Sequence, residues 1–335
     1  MSVLLEDIRQ NKGFTAWLSG LTIGALALGI ALPFVFAALV DMAPIVAPLF
    51  KVEGEEFGEK AILVPFGMLA ISGFCLILET WLLGYEKSTL KKILMDETPS
   101  VRTDFLFLLF RVSGLMVVFG LIFSFGGMYV VSDYIEVTFG FAFVRNVDTP
   151  LVQFVVMALV FSFLNYWVHR LMHTPILWEI HKVHHSAEDY NVLLPYRNHP
   201  VDFIFATFYG AFAIAVLGVT PEVLMAWLAA NAVYQSMVHS MYDWRGRWLE
   251  YIFITPAAHR IHHSTLPEHF DTNFGIFSLW DRMFGTYYAP KGQVIHCGIP
   301  EPDQKDFNTG HFFAEILSCF LRWIRLRRVG DGPTA

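Results

Sequence analysis

Residues 151–173 read LVQFVVMALVFSFLNYWVHRLMH. Positions 151–168 carry no charge and run straight into His169. A helix needs about 20 mostly apolar residues to cross the ~30 Å hydrocarbon layer of a bilayer. The stretch is therefore expected to be a membrane helix that delivers histidines at its end. Further runs meet the same test at 14–40 and 61–84, the latter with Glu79 as its one charge, and at 104–128, interrupted by Asp104 and Arg111. Two shorter runs, 203–219 and 222–238, are split by Gly218-Val219-Thr220-Pro221 and form either two crossing helices or a hairpin that dips in and returns.

Composition agrees. The 335 residues are 55% hydrophobic and 16% charged, against roughly 25% charged in a soluble domain. That excludes a disordered chain. A net charge of −7 leaves no broad basic surface, so no nucleic-acid partner is expected. Three cysteines without C-x-x-C spacing indicate neither a disulfide framework nor a cysteine zinc site.

The fold class expected is all-α, a polytopic integral membrane helical bundle. Arg9 and Lys12 precede the first span, Lys87, Lys91, Lys92 and Arg102 fill 85–103, and Arg145 is alone in 129–150. That asymmetry puts the N-terminus in the cytoplasm. His169, His239 and the tail arginines Arg322, Arg325, Arg327 and Arg328 then fall on the same side. Glu6 and Asp7 spoil a signal-peptide n-region, so the first run reads as a retained anchor. Residues 311–328 space Phe312, Phe313, Ile316, Leu317, Phe320 and Ile324 as an amphipathic helix, lying on an anionic leaflet or packing terminally. Residues 329–335 read as a frayed end.

Ten of the 13 histidines fall between 169 and 263. They form His169-Arg-Leu-Met-His173, His181-Lys-Val-His184-His185 and His259-Arg-Ile-His262-His263, with His199 and His239 standing singly between. Positions i and i+3 or i+4 share a helix face, so each box can converge its imidazoles on a metal. Chance supplies roughly 0.02 copies of H-x-x-H-H in such a chain, and here there are two. Nine or ten imidazoles are too many for one ion, so two metals of four or five ligands each are expected. Imidazole suits zinc, iron, copper and nickel alike, so ligand type leaves the metal open, zinc in isolated protein included. Ligating rings need acceptors for their second N–H, and Glu179, Glu188, Asp189, Asn198, Asp243 and Asp281 lie near in sequence. His269, His296 and His311 stand apart and read as ordinary core or surface residues.

At these residues the sequence resembles the fatty acid hydroxylase/sterol desaturase superfamily of membrane di-iron oxygenases. The resemblance rests on Asn165–His173, Ile180–Ser186, Thr255–His263, Asn273-Phe-Gly275 and Trp280–Tyr287. It implies two iron ions that activate O2 and either hydroxylate or desaturate a lipid such as a sterol or fatty acyl chain. Carried over residue by residue, the implied ligands are His169, His173, His181, His184, His185, His239, His259, His262 and His263. His199, followed by Pro200, is a looser match. Some members carry a further histidine four residues before the position of His239; here it is Gln235. The implied organisation is a transmembrane region of about three spans over 1–150, a hydroxylase-like domain over 151–290 and an amphipathic tail over 291–335.

No G-x-G-x-x-G, G-x-x-x-x-G-K-[ST] or cysteine cluster set is present. Electrons are therefore expected from an external ferredoxin- or cytochrome b5-type donor. Lys182, Arg197, Arg245, Arg247 and Arg260 form either a basic docking patch for it or ordinary loop positives. A bacterial inner membrane and the endoplasmic reticulum both fit, with the metal site on the cytoplasmic side. Two other functions compete. A zinc-dependent membrane hydrolase needs a carboxylate base beside an open site, and no motif supplies one. A membrane metal transporter places ligands near mid-bilayer, whereas these histidines lie at or beyond span ends.

Overall fold

The computed structural model describes residues 54–96, 98–113, 134, 137–138, 140, 143–144, 146–244, 248–290, 295–309 and 311–329. The runs at 14–40 and 114–128, half of the loop at 129–150 and residues 330–335 lie outside these. The described residues are mostly helical and contain no strand, only two isolated bridges, Phe253 with Phe277 and Ser264 with Cys297.

The principal helices are α1 (Gly54–Leu83), α2 (Pro99–Val112), α3 (Pro150–Met172), α4 (Pro175–His185), α5 (Pro200–Leu217), α6 (Pro221–Val238), α7 (Pro256–His262), α8 (Ser278–Met283) and α9 (Phe312–Val329). Among the described residues, α3 is the one helix long and apolar enough to cross a membrane by length and composition, with mean hydropathy 1.9 over its best window. The apolar parts of α1 and α5, Gly67–Leu83 and Pro200–Ile214, are shorter.

Six helices start with the same device. Thr98-Pro99, Thr149-Pro150, Thr174-Pro175, His199-Pro200, Thr220-Pro221 and Thr255-Pro256 each place proline in the first turn. Proline lacks the N–H that would be orphaned there, and it holds the preceding residue extended. The six residues before proline accordingly have ψ between 102° and 163°.

Two apolar clusters hold the helices. α3, α5 and α6 bury Met157, Phe161, Ala213, Leu217 and Trp227, and the Phe161 ring meets Tyr209 at 5.0 Å and Trp227 at 5.3 Å. α5 ends at Gly218 in the left-handed region (φ 63°), and the turn into α6 is tied to α3 by Thr220 N–H donating to Gln153 Oε1 at 3.1 Å. The second cluster joins α2, α4 and α9 through Val101, Phe107, Leu108, Val183 and Cys319. Phe312 of α9 packs edge-on against Phe107 at 4.6 Å. α9 thus buries one face while Phe313, Leu317 and Leu321 remain exposed on another.

Buried charges act as internal ties. Arg197 is fully buried and pairs with Asp104 at 3.0 Å, while its other nitrogens donate to Val183 O, Ser186 Oγ and Asn308 Oδ1. Lys182 is buried between Glu179 (2.5 Å) and Asp303 (2.7 Å), and Arg260 pairs with Asp243. A buried cation needs a counter-charge, and that requirement turns Arg197 and Lys182 inward, so they form no surface docking patch. Arg245 and Arg247 lie outside the described residues. Glu79, the one charge in 61–84, accepts from Ser240 Oγ and Thr89 N–H at 2.8 Å each, which pins α1 to the segment following α6.

Candidate metal centre

Four separate stretches deliver nine histidines to one buried place. The last turn of α3 carries His169, and His173 caps its C-terminus. α4 presents His181, His184 and His185 from a single helix of 11 residues. His239 caps the C-terminus of α6. α7 brings His259 and His262, and His263 is its C-cap.

The nine divide into two groups. His169, His173, His181, His185 and His262 form one, and His184, His239, His259 and His263 the other; within each, the possible ligand atoms lie within 4.8 Å of one another. Two ligands opposite each other at about 2.1 Å from one metal would be about 4.2 Å apart, so both groups are the size of an ion site. The groups adjoin: the His185 and His263 rings stack with centroids 4.4 Å apart.

Five of the nine Nδ1 atoms face outward to acceptors. His169 Nδ1 meets Phe274 O at 2.8 Å, His184 Nδ1 meets Arg197 O at 3.2 Å, His239 Nδ1 meets Gln235 O at 2.7 Å and His262 Nδ1 meets Thr272 O at 2.6 Å. His181 Nδ1 meets the Asp202 carboxylate at 2.9 Å. An N–H···O bond at Nδ1 sets the tautomer and leaves Nε2 bare. The Nε2 atoms of His173, His181, His185 and His263 are buried without a hydrogen-bond partner, as are Nδ1 of His259 and His263. His169 Nε2 faces His262 Nε2, and His239 Nε2 faces His259 Nε2, each at 3.0 Å. Bare, converging ring nitrogens inside a protein are costly alone and are the donor set a metal requires. Burial, reinforced by neighbouring imidazoles, holds His184, His185, His259, His262 and His263 well below the ordinary imidazole pKa. The rings are neutral at pH 7, the form that ligates.

The carboxylates near in sequence do other work. Glu179 and Asp243 pair with cations, Glu188 accepts from Asn308, Asp189 accepts from Lys92 and Thr98, and the Asn198 amide donates to Pro195 O. Asp281 acts at one remove. Its carboxylate accepts from the N–H groups of Phe274 and Gly275 at 2.8 Å each and from Thr286 Oγ1 at 2.7 Å, which fixes the loop whose Phe274 carbonyl orients His169. Asn273, at positive φ (56°), spans the same loop through Ala258 O, Tyr288 O and Tyr288 N–H. These bonds explain the Asn273-Phe-Gly275 and Trp280–Tyr287 signature physically.

His199 lies outside both groups. Its Nδ1 accepts from Val201 N–H at 3.1 Å and its Nε2–H donates to Ile316 O at 3.2 Å, so both nitrogens are engaged by backbone. Asp202 is the orienting residue the sequence reading passes over. The available signal was a carboxylate at the very edge of an apolar run, where it needs a partner.

A cavity of about 380 Å³ opens against His169, His181, His184, His239 and His259. A second, apolar cavity of about 500 Å³ shares Asn231 and Tyr234 in its walls.

Residues 154–286 match the family model described as fatty acid hydroxylase. Alkylglycerol monooxygenase of Xenopus tropicalis is 35% identical over 162 residues, covering 47% of this chain and 34% of the relative. Ornithine lipid hydroxylase OlsE of Rhizobium tropici is 32% identical over 193 residues, 55% of each chain. A Delta(7)-sterol 5(6)-desaturase of Gibberella zeae is 29% identical over 145 residues, 42% of this chain and 43% of the relative. The matched region thus spans between a third and little more than half of these relatives. No solved structure matches the chain. The nine histidines, the loop that orients them and the matched residues coincide: residues 154–286 carry a fatty acid hydroxylase domain, and the relatives this region resembles are lipid monooxygenases, hydroxylases and sterol desaturases.

Proposed function

We propose that the protein is a membrane-embedded oxidoreductase that uses O2 to hydroxylate or desaturate a C–H bond of a lipid. The observation that carries the reading is the pair of adjoining histidine groups, one of five and one of four, with buried unpartnered ring nitrogens in both and Nδ1 tied outward in five of the nine rings. His169, His173, His181, His185 and His262 would hold one iron, and His184, His239, His259 and His263 the other. Iron bound there supplies the redox chemistry with O2 that an unactivated C–H bond demands.

The chain's own part is orientation and exclusion of water. Phe274 O, Gln235 O, Thr272 O, Arg197 O and Asp202 hold the rings, and the cavity against them admits a lipid group. Electrons come from a separate ferredoxin- or cytochrome b5-type protein. On this reading spans precede residue 151, α9 rests at the inner leaflet, and the centre lies at the cytoplasmic surface of a bacterial inner membrane or endoplasmic reticulum. The exposed Phe313, Leu317 and Leu321 stripe supports that position for α9. The hydrolase reading is weaker. Among the residues lining the cavity the one carboxylate is Asp202, and it is committed to His181.

Purified protein should carry about two irons per chain, as the two groups imply. With reductant and ¹⁸O2 it should yield lipid carrying the label or a new double bond. Lipid hydrolysed without O2 would replace this reading by a zinc hydrolase. His184→Ala should abolish turnover and leave membrane insertion intact, because no apolar run depends on that side chain.

A further inference from the structure

The cavity against the histidines has one cation in its lining, Arg111. Arg111 sits in the last turn of α2, partly buried, with its guanidinium 4.9 Å from the centre of the Phe203 ring. Among the described residues no carboxylate reaches it. The other inward cations differ: Lys182, Arg197 and Arg260 each hold a carboxylate at 2.5–3.0 Å. The cavity's one carboxylate, Asp202, is bound to His181 Nδ1 at 2.9 Å and does not serve Arg111. An ionised group taken from water without a counter-charge is expensive. None of the described residues offsets that cost, and a ligand that brings the anion would.

A second donor stands in the same lining. Tyr209 accepts from Asn165 Nδ2 at 3.1 Å, and its own hydroxyl proton has no acceptor among the described residues. Guanidinium offers a fork of N–H groups matched to carboxylate or phosphate oxygens. A cation held by an aromatic face beside a free O–H is complementary to an oxyanion, and to nothing neutral in particular.

We infer that Arg111, with Tyr209 beside it, receives the oxyanion of the lipid substrate, a carboxylate or a phosphate. The inference rests on the lipid-oxidising reading above and narrows it to acyl lipids with an anionic or zwitterionic head group. At about 380 Å³ the cavity takes a head group and a limited length of chain. The C–H bond presented to the histidines is therefore near the head group.

The test is equilibrium binding to the full-length protein in neutral detergent. The probes are three radiolabelled lipids of one chain length: a fatty acid, a lysophosphatidic acid and a monoacylglycerol. At least one anion should bind the wild type about tenfold or more tighter than the monoacylglycerol, as a charge-assisted hydrogen bond implies, and the preferred one identifies carboxylate or phosphate. Arg111→Gln should remove that preference, and Arg111→Lys should keep part of it. Equal binding of all three lipids to the wild type overturns the inference, as does an Arg111→Gln loss shared equally by the neutral lipid. The wild-type comparison stands even if a variant fails to fold. Failure of each reading is also separable. Anion preference without O2-dependent product removes the oxygenase reading alone, while O2-dependent product without anion preference removes this one alone.

Discussion

His169 and His199 carry the same ring and do different work because their nitrogens meet different partners. His169 turns Nδ1 to a carbonyl and leaves Nε2 facing His262. His199 spends Nδ1 as an acceptor for Val201 N–H, capping α5. Burial pushes the His199 imidazole down to about 4, and protonating Nδ1 would also remove the cap. The sign follows. Below an ordinary histidine pKa near 6.5 the unfolded chain takes up a proton that the folded chain refuses, so stability falls with falling pH. Between pH 7.5 and pH 5 this residue alone should cost about 2 kcal/mol, an order-of-magnitude figure from a shift of this size. His199→Asn keeps an N-cap acceptor without the titration. Urea unfolding at the two pH values should show a shallower pH dependence in the variant by about that amount. An identical slope would show that burial of His199 does not set this pH dependence.

At the scale of elements, the loop between α7 and α8 matters more than any helix start. A Cβ on Gly275 would lie 2.7 Å from Asp281 Oδ2 and 2.8 Å from Phe277 O, and neither atom belongs to a flexible side-chain end. Gly275→Ala should therefore cost about 1–3 kcal/mol and displace the Phe274 carbonyl from His169. Pro175→Ala at the start of α4 should cost only about 0.4–1 kcal/mol, mostly through the unfolded chain. Thermal melts and metal content separate the two: both variants melt earlier, but only Gly275→Ala loses metal. The same contrast explains what could be read in the residues beforehand. The H-x-x-H-H spacing is local, so the helix period suffices to place His181, His184 and His185 on one side of α4. The runs 203–219 and 222–238 likewise became α5 and α6 within a few residues, because Gly218 and Pro221 punctuate the chain. Orientation of the rings was not legible. Four of the five Nδ1 acceptors are backbone carbonyls, which leave no mark in side-chain identity. The repeated Thr-Pro pairs are a visible signal for five helix starts, and the sequence reading uses it only at Thr220-Pro221.

For the whole molecule, the histidines join parts whose apolar contacts are otherwise separate. α3, α5 and α6 share one cluster, while α2, α4 and α9 share another. The five-histidine group draws on α3, α4 and α7, and the four-histidine group on α4, α7 and the end of α6. Metal that binds the folded chain and not the unfolded one adds stability by mass action, about 4 kcal/mol at a free concentration 1,000 times Kd. Removal should act unevenly. α4 and α7 are short, 11 and 7 residues, and carry six of the nine rings between them when the His263 cap is included. The α5–α6 hairpin keeps Phe161, Tyr209 and Trp227 whether or not metal is present. Chelation should therefore lower the melting temperature and raise amide hydrogen exchange first in α4 and α7, with α5 and α6 remaining protected. Exchange that rose equally throughout, or not at all, would mean that the two apolar clusters already hold the centre together and that the imidazoles are preorganised without their ions.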